Sequence, residues 1–452
     1  QKFTLPNGVR VLLIPTDGTQ TVSTFVLFRV GSRYETKSLS GASHFIEHLM
    51  FKGTKRRPTT QDISRELDSV GAEYNAFTSK DWTGYYVKSD ARHADMALDI
   101  LEDMLFHSVY KPEEVDRERK VILEEIHMYR DNPLMHIEDV IETLIFDGNT
   151  LGWPIAGTDE TMAGITREGL VSYRDAYYIP NRIVIAIAGK IGKKTRAHAT
   201  RLFGRLKRTS TPQGTSTPQG TSPHRGTSPH RGTSPHRGTS ARPKDFHRFR
   251  TTQSAPRLTV EYKETEQVQV ALGMPAFPYL HPRLPALQVA SNIFGGTMSS
   301  RLFIEIRERR GLAYSVRSAV DALEDTGSFI IRAGVAKDRI HEALQTILRE
   351  ATRMRSSLPT VEEIHRAKEN LRGRLTLGLE DSSEVANWYG KQELFTDKSV
   401  TPEQQFAKFD RVTREDIRSA ARAVLVPKRY SLAIIGPYKD EAPFQKLLGM
   451  KV

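Results

Sequence analysis

The feature that most restricts the fold of this chain is that it contains its own pattern twice. Tyr178-Ile179-Pro180-Asn181-Arg182 and the apolar run 183–189 recur as Leu425-Val426-Pro427-Lys428-Arg429 and 430–436. Upstream, 90–101 parallels 336–347, and 111–115 parallels 359–364, where each copy opens a charged amphipathic segment. All three pairs lie roughly 246 to 249 positions apart. Self-similarity at one long offset means that one unit is built twice. A length of 452 residues also exceeds what a single core ordinarily organises.

Between the copies, 209–238 is five consecutive hexapeptides, TSTPQG twice and TSPHRG three times. Such Thr/Ser/Pro/Gly-rich sequence buries too little to offset its conformational entropy and reads as a mobile linker without chemistry of its own. The expected division is therefore a first domain over 1–206, a low-complexity linker over 207–250 and a homologous second domain over 251–452. The linker also accounts for the basic balance. Of the net charge of +12, nine Lys/Arg against one acid place +8 between Lys207 and Arg250, leaving +4 for the rest. No basic stripe with interleaved aromatics remains, so no nucleic-acid partner is expected. No apolar run approaches the ~20 residues of a membrane span, and a soluble chain is expected.

Within each half, strands alternate with helices. β-Branched runs at 9–14 and 21–28 read as strands, as do 73–78 and 83–87 across a short turn. Segments 43–51, 95–106 and 112–130 read as helices, the last with Pro112 in its first turn. The fold class is α+β: two homologous layered domains, each a mainly antiparallel sheet with helices packed on it.

Chemistry concentrates at His44-Phe45-Ile46-Glu47-His48. On a helix, His44 and His48 share a face, and both imidazoles can reach one ion. Glu47 is offset so as to address a water held there, while Phe45, Ile46, Leu49 and Met50 bury the rest of the helix. H-x-x-E-H arises by chance in only about 0.03 of chains this long. The chain has no cysteine, so a metal must sit on His, Asp or Glu. Two imidazoles, one carboxylate and an open position suit zinc. A third ligand has to come from another element, and 118–129 offers Glu118, Glu124 and Glu125. Glu118 and Glu125 lie two turns apart on one face, so one could bind metal while the other orients a ligand. Local spacing does not choose between Glu124 and Glu125. His127 lies well off the Glu118–Glu125 face.

H-F-I-E-H, preceded by Ser40-Gly41-Ala42-Ser43 and followed by Phe51-Lys52-Gly53-Thr54, resembles the inverted zinc motif of the pitrilysin/insulinase metallopeptidases. Asn75-Ala76-Phe77-Thr78, the segment 121–126, the segment 311–316 and the duplicated halves match that family in the same order. The resemblance implies one zinc per chain on His44, His48 and Glu125, with Glu47 as general base and Glu118 as supporting acid. It also implies substrate contacts from Arg307 and Tyr314 of the second half, Tyr314 acting in catalysis, and a peptide-pairing strand edge at Asn75 and Ala76. The second half has no metal motif; Ser291 to Gly296 aligns with it, and Gly295-Gly296 reads as a helix-breaking turn.

By resemblance, two such domains form half of a clamshell that a homodimer, or a heterodimer with a related subunit, would close around unstructured peptides. The expected activity is that of a zinc endopeptidase or oligopeptidase. A non-catalytic partner subunit and a processing peptidase for targeting peptides are the alternatives. The bacterial cytoplasm or periplasm is expected over an organelle, although a chain starting at Gln1 leaves a preceding targeting segment open.

Overall fold

The computed structural model describes residues 1–206 and 246–450; the hexapeptide repeats lie outside the described residues. Two mixed α+β layers result. The first sheet comprises Lys2–Thr4 (β1), Arg10–Pro15 (β2), Thr21–Phe28 (β3), Glu73–Thr78 (β4), Thr83–Asp90 (β5) and Ile183–Gly189 (β6), in the order β1-β2-β6-β3-β5-β4. The second comprises Arg257–Tyr262 (β7), Gln267–Ala276 (β8), Ala313–Ala322 (β9), Gly327–Ala336 (β10) and Ser431–Gly436 (β11), in the order β7-β11-β8-β10-β9. Set aside β1 and the two orders superpose strand for strand. In each sheet a single parallel pair, β2 with β6 or β7 with β11, sits among antiparallel neighbours. The duplication seen in the sequence is thus a duplication of topology.

β6 is buried along its whole length, and β3 at every residue except the first. β6 reads as a continuous apolar run because both faces of the sheet are covered. One face of the first sheet carries helices of its own half, with Phe45, Leu49, Leu98 and Leu101 in one core with Val22, Val26, Ile185 and Ile187. The other face is covered by a helix from the opposite half. Ser382–Thr396 lays Val385, Ala386 and Leu394 onto Leu12, Phe25, Leu27, Val184 and Ala186. The exchange is reciprocal. Pro133–Ile145 leaves the first half and packs Ile137, Ile141 and Ile145 on Ala271, Ile330, Ala433 and Ile435 of the second sheet.

Glycine permits both close approaches. A Cβ at Gly390 would lie 2.5 Å from Leu27 Cδ1, and one at Gly273 would lie 2.5 Å from Ile145 Cδ1. Polar contacts fasten the exchanged helices. Lys88 pairs with Asp381 at 2.8 Å, Lys2 with Glu393 at 2.8 Å, and Ser23 Oγ lies 2.7 Å from Ser382 Oγ. On the reciprocal side, Arg257 donates to the Leu144 carbonyl at 2.6 Å and Arg332 pairs with Glu138 at 2.6 Å. A chain severed between 207 and 245 is therefore expected to stay together. The two fragments should co-elute on gel filtration without denaturant, and separate elution would contradict this packing.

Candidate metal centre

Helix Ala42–Met50 buries Phe45, Ile46, Leu49 and Met50 and turns His44 and His48 to its other side, their ring centroids 4.7 Å apart. It starts at Gly41, whose φ of 97° is left-handed, and where a Cβ would lie 2.7 Å from the Ala156 carbonyl oxygen. Gly41 has no side chain to cap the helix; Glu35 serves instead. Its two carboxylate oxygens accept the Gly41 and Ser43 amides, each at 2.7 Å. Burial nevertheless pushes the Glu35 carboxyl up to about 8, against those hydrogen bonds.

The third donor comes from helix Pro112–Asp131. Glu125 Oε2 lies 3.7 Å from His44 Nε2 and 3.5 Å from His48 Nε2. Ligand atoms of His44, His48 and Glu125 fall within 4.8 Å of one another, the one group of this kind found among the described residues. Glu124 is exposed, and His127 bonds Asp159 at 2.8 Å instead. Glu118, two turns before Glu125, is buried and places Oε2 3.1 Å from His48 Nδ1, while Lys52 Nζ holds its Oε1 at 2.7 Å. This chain of Lys52, Glu118 and His48 fixes one imidazole while leaving its Nε2 toward Glu125.

Glu47 receives a 2.6 Å hydrogen bond from the Thr78 hydroxyl on β4. Burial raises its carboxyl above the usual range, and the Thr78 bond only partly offsets this.

The charges around these three side chains suit a cation. Burial, with the neighbouring His48, pushes His44 down to about 4, so its ring is neutral. Burial works against a charge on His48 too, yet its bonds to Glu118 and Glu125 push it up to about 9. The His48 bond holds Glu125 below its ordinary value; Glu118, despite its burial, is held low by His48 and Lys52. With Glu118 on Nδ1, the second proton of a charged His48 sits on Nε2 facing Glu125, where a cation held by His44, His48 and Glu125 would lie. Two imidazoles and a carboxylate fit zinc in number and type.

The sign of the pH dependence follows. In the metal-free chain the raised His48 pKa stabilises folding fully below the unfolded value near 6.5, and that stabilisation is lost as pH rises through about 9. Zinc needs the neutral ring, so its uptake at pH 7 should release about one proton. Affinity should rise with pH up to about 9. Calorimetry in buffers of different ionisation heat would measure this; zinc binding without proton release would contradict the His48 assignment.

Several of these contributors were not singled out by sequence reasoning. Thr78 ends the Asn75-Ala76-Phe77-Thr78 run, and strand alternation alone could have placed it beside Ala76. Lys52 follows the metal helix by two residues, whereas nothing local marks Glu35. Of the residues expected to meet substrate, Asn75 and Ala76 lie on β4, the edge strand of the first sheet. The Ala76 amide is occupied by the Asn75 carboxamide oxygen at 2.8 Å, a bond that a pairing peptide would have to replace. Arg307 lies in the π-helical turn Phe303–Glu308, with Cζ 5.0 Å from the ring of Tyr314, which is the second residue of edge strand β9 and is 73 % exposed. Among the described residues these two meet each other, and no hydrogen bond, ion pair or ring contact joins them to His44, Glu47, His48 or Glu125. Counterpart of the metal helix, Leu284–Gly295 carries Ser291 and Asn292 and ends at the expected glycines. Gly295 does more than end it, since a Cβ there would lie 2.6 Å from the Ser318 amide nitrogen.

Residues 10–159 match the family described as Insulinase (Peptidase family M16), and 164–371 match Peptidase M16 inactive domain. The chain is 33 % identical to YmxG, an uncharacterized zinc protease of Bacillus subtilis, over 97 % of its own length and 98 % of that protein. It is 36 % identical to an uncharacterized zinc protease of Streptomyces coelicolor, SCO5738, over 98 % and 90 % respectively. In fold it is similar to a protease from Helicobacter pylori, with a TM-score of 0.84 at 22 % identity, covering 97 % of this chain and 99 % of that one. Spanning both halves and matched nearly end to end by such relatives, the chain belongs to the insulinase family, peptidase family M16.

Proposed function

We propose that this chain is a zinc-dependent endopeptidase or oligopeptidase acting on unstructured peptides, with one zinc per chain held by His44, His48 and Glu125. The observation that carries this reading is the convergence of those three donors beside a carboxylate, Glu47, that is itself held in place. Zinc would supply Lewis acidity and lower the pKa of water at the open position. Glu47 takes the proton of the attacking water. Thr78 engages Oε2 of that carboxylate, leaving Oε1 to receive it. A carboxyl that burial holds above its ordinary value is suited to accept a proton and then return it to the leaving amine. Glu118 and Lys52 keep the His48 ring oriented throughout.

The peptide would lie extended against the β4 edge at Asn75 and Ala76, held by backbone bonds that tolerate many sequences. Tyr314 would donate to the oxyanion and Arg307 would bind substrate carbonyls. That Arg307 and Tyr314 meet each other and none of the metal-site residues supports completion of the site by a second copy or a related subunit. Light scattering showing a fully active monomer at assay concentration would sink the pairing.

The activity is tested by mass spectrometry of peptide mixtures incubated with the enzyme, with chelator-treated enzyme, and with zinc restored. Cleavage should stop on chelation and return with zinc. Chelator-insensitive cleavage would remove the zinc mechanism, and no cleavage at all would favour a non-catalytic partner subunit.

A further inference from the structure

Away from the metal centre, a cavity of about 620 Å³ opens in the second half between the start of helix Leu284–Gly295, helix Ser382–Thr396 and the segment 398–416. Its volume falls within the range of small-molecule sites. Its apolar lining includes Leu280, Trp388 and Val400, and Leu280 is 68 % exposed. Four cations share the wall: Arg283, Lys398, Lys408 and Arg411. None of the four is in an ion pair among the described residues, although many other cations of this chain are. Arg283 rests on the Phe277 ring at 4.8 Å, and Lys408 reaches only Gln405 Oε1 at 3.3 Å. Asp416, the one acid in the lining, is engaged by the amide and hydroxyl of Thr413 at 2.9 and 2.7 Å.

We propose that this cavity binds a small amphipathic carboxylate, its apolar body against Leu280, Trp388 and Val400 and its charge among Arg283, Lys398, Lys408 and Arg411. Uncompensated cations around one concavity focus a positive potential into it, and the low-polarity wall beside them strengthens their pull on an anion. Burial pushes the Lys408 ammonium below its ordinary value, and a carboxylate beside it would reverse that. Nothing in this site touches the metal residues, so the proposal stands whether or not the chain hydrolyses peptides.

Two sources share this chemistry, a free acyl carboxylate and the C-terminus of a short apolar peptide, and the test separates them. Calorimetry would titrate the full-length protein with decanoate, kept below its micelle concentration, and with decanol. A parallel pair would be an apolar tripeptide bearing a free or an amidated C-terminus, added to metal-free protein so that it is not cleaved. Saturable binding of an acid, at least tenfold weaker for its neutral partner, is expected, and whichever acid binds identifies the source. The charge-reversed variant Lys408→Glu/Arg411→Glu should bind that acid at least tenfold more weakly while keeping wild-type peptide hydrolysis. Absence of saturable binding by either acid, equal binding of neutral and acidic forms, or unchanged affinity in the variant would overturn the proposal.

Discussion

Glu47→Gln is expected to retain zinc at the wild-type stoichiometry and to lose about 10²–10⁴ in kcat, the usual contribution of a positioned general base. The carboxamide is isosteric, so Thr78 can still donate to its oxygen and helix Ala42–Met50 keeps its packing. What is lost is the proton acceptor alone. Because Glu47 is not among the converging donors, metal content measured by atomic absorption should not change. The contrasting variant is His48→Ala, which removes a donor and should lower metal content and turnover together. If Glu47→Gln cleaves unstructured peptides at the wild-type rate, the assigned base is wrong, whatever the metal content.

Arg33→Leu is expected to destabilise the chain by about 3–5 kcal/mol, the range found when one partner of a buried ion pair is removed. Arg33 is buried, with its guanidinium 2.7 Å from Asp81 Oδ1 and 2.8 Å from Asp325 Oδ1 and its Cζ 3.7 Å from the Phe246 ring centroid. The second oxygens of both carboxylates are also committed. Asp81 Oδ2 accepts the Glu324 amide at 2.7 Å, and Asp325 Oδ2 accepts the Phe249 amide at 2.9 Å. Arg33 and Asp81 belong to the first half, Glu324 and Asp325 to the second, and Phe249 to the segment that leads into the second. Removing the cation would strand two carboxylates between the halves, where no other ion pair among the described residues reaches them. Urea unfolding would measure the loss, and Asp325→Asn in the Arg33→Leu background should recover part of it. Strict additivity of those two changes would show that the groups do not act as one network.

How much of this was legible in the sequence depended on the range of the interaction. Helix spacing gave the pairing of His44 with His48, and the repeat gave two copies of one topology, because both are properties of short segments or of self-comparison. Glu125 was separable from Glu124 only by resemblance, since adjacent residues on a helix differ by a rotation that depends on what the helix packs against. Thr78, Lys52 and Glu35 were missed because each acts through a contact made only when separate elements meet. The exchange of helices was invisible for a related reason. Ile137, Ile141 and Ile145 mark an apolar face by their spacing, but no periodicity states which sheet that face will cover. Apolar runs such as 183–189 did hold a clue, because a strand buried on both faces needs a second cover, and the first half alone does not supply one.

That exchange has a consequence for synthesis. When the first half leaves the ribosome, Leu12, Phe25, Leu27, Val184 and Ala186 still await Val385 and Leu394, while Ile137 and Ile141 await a sheet that is not yet made. At ~5–20 residues per second, the interval before Ser382–Thr396 emerges is on the order of ten seconds or more. Throughout it the nascent chain presents two sticky surfaces, which makes the newborn first half a natural client for a chaperone that shields apolar patches.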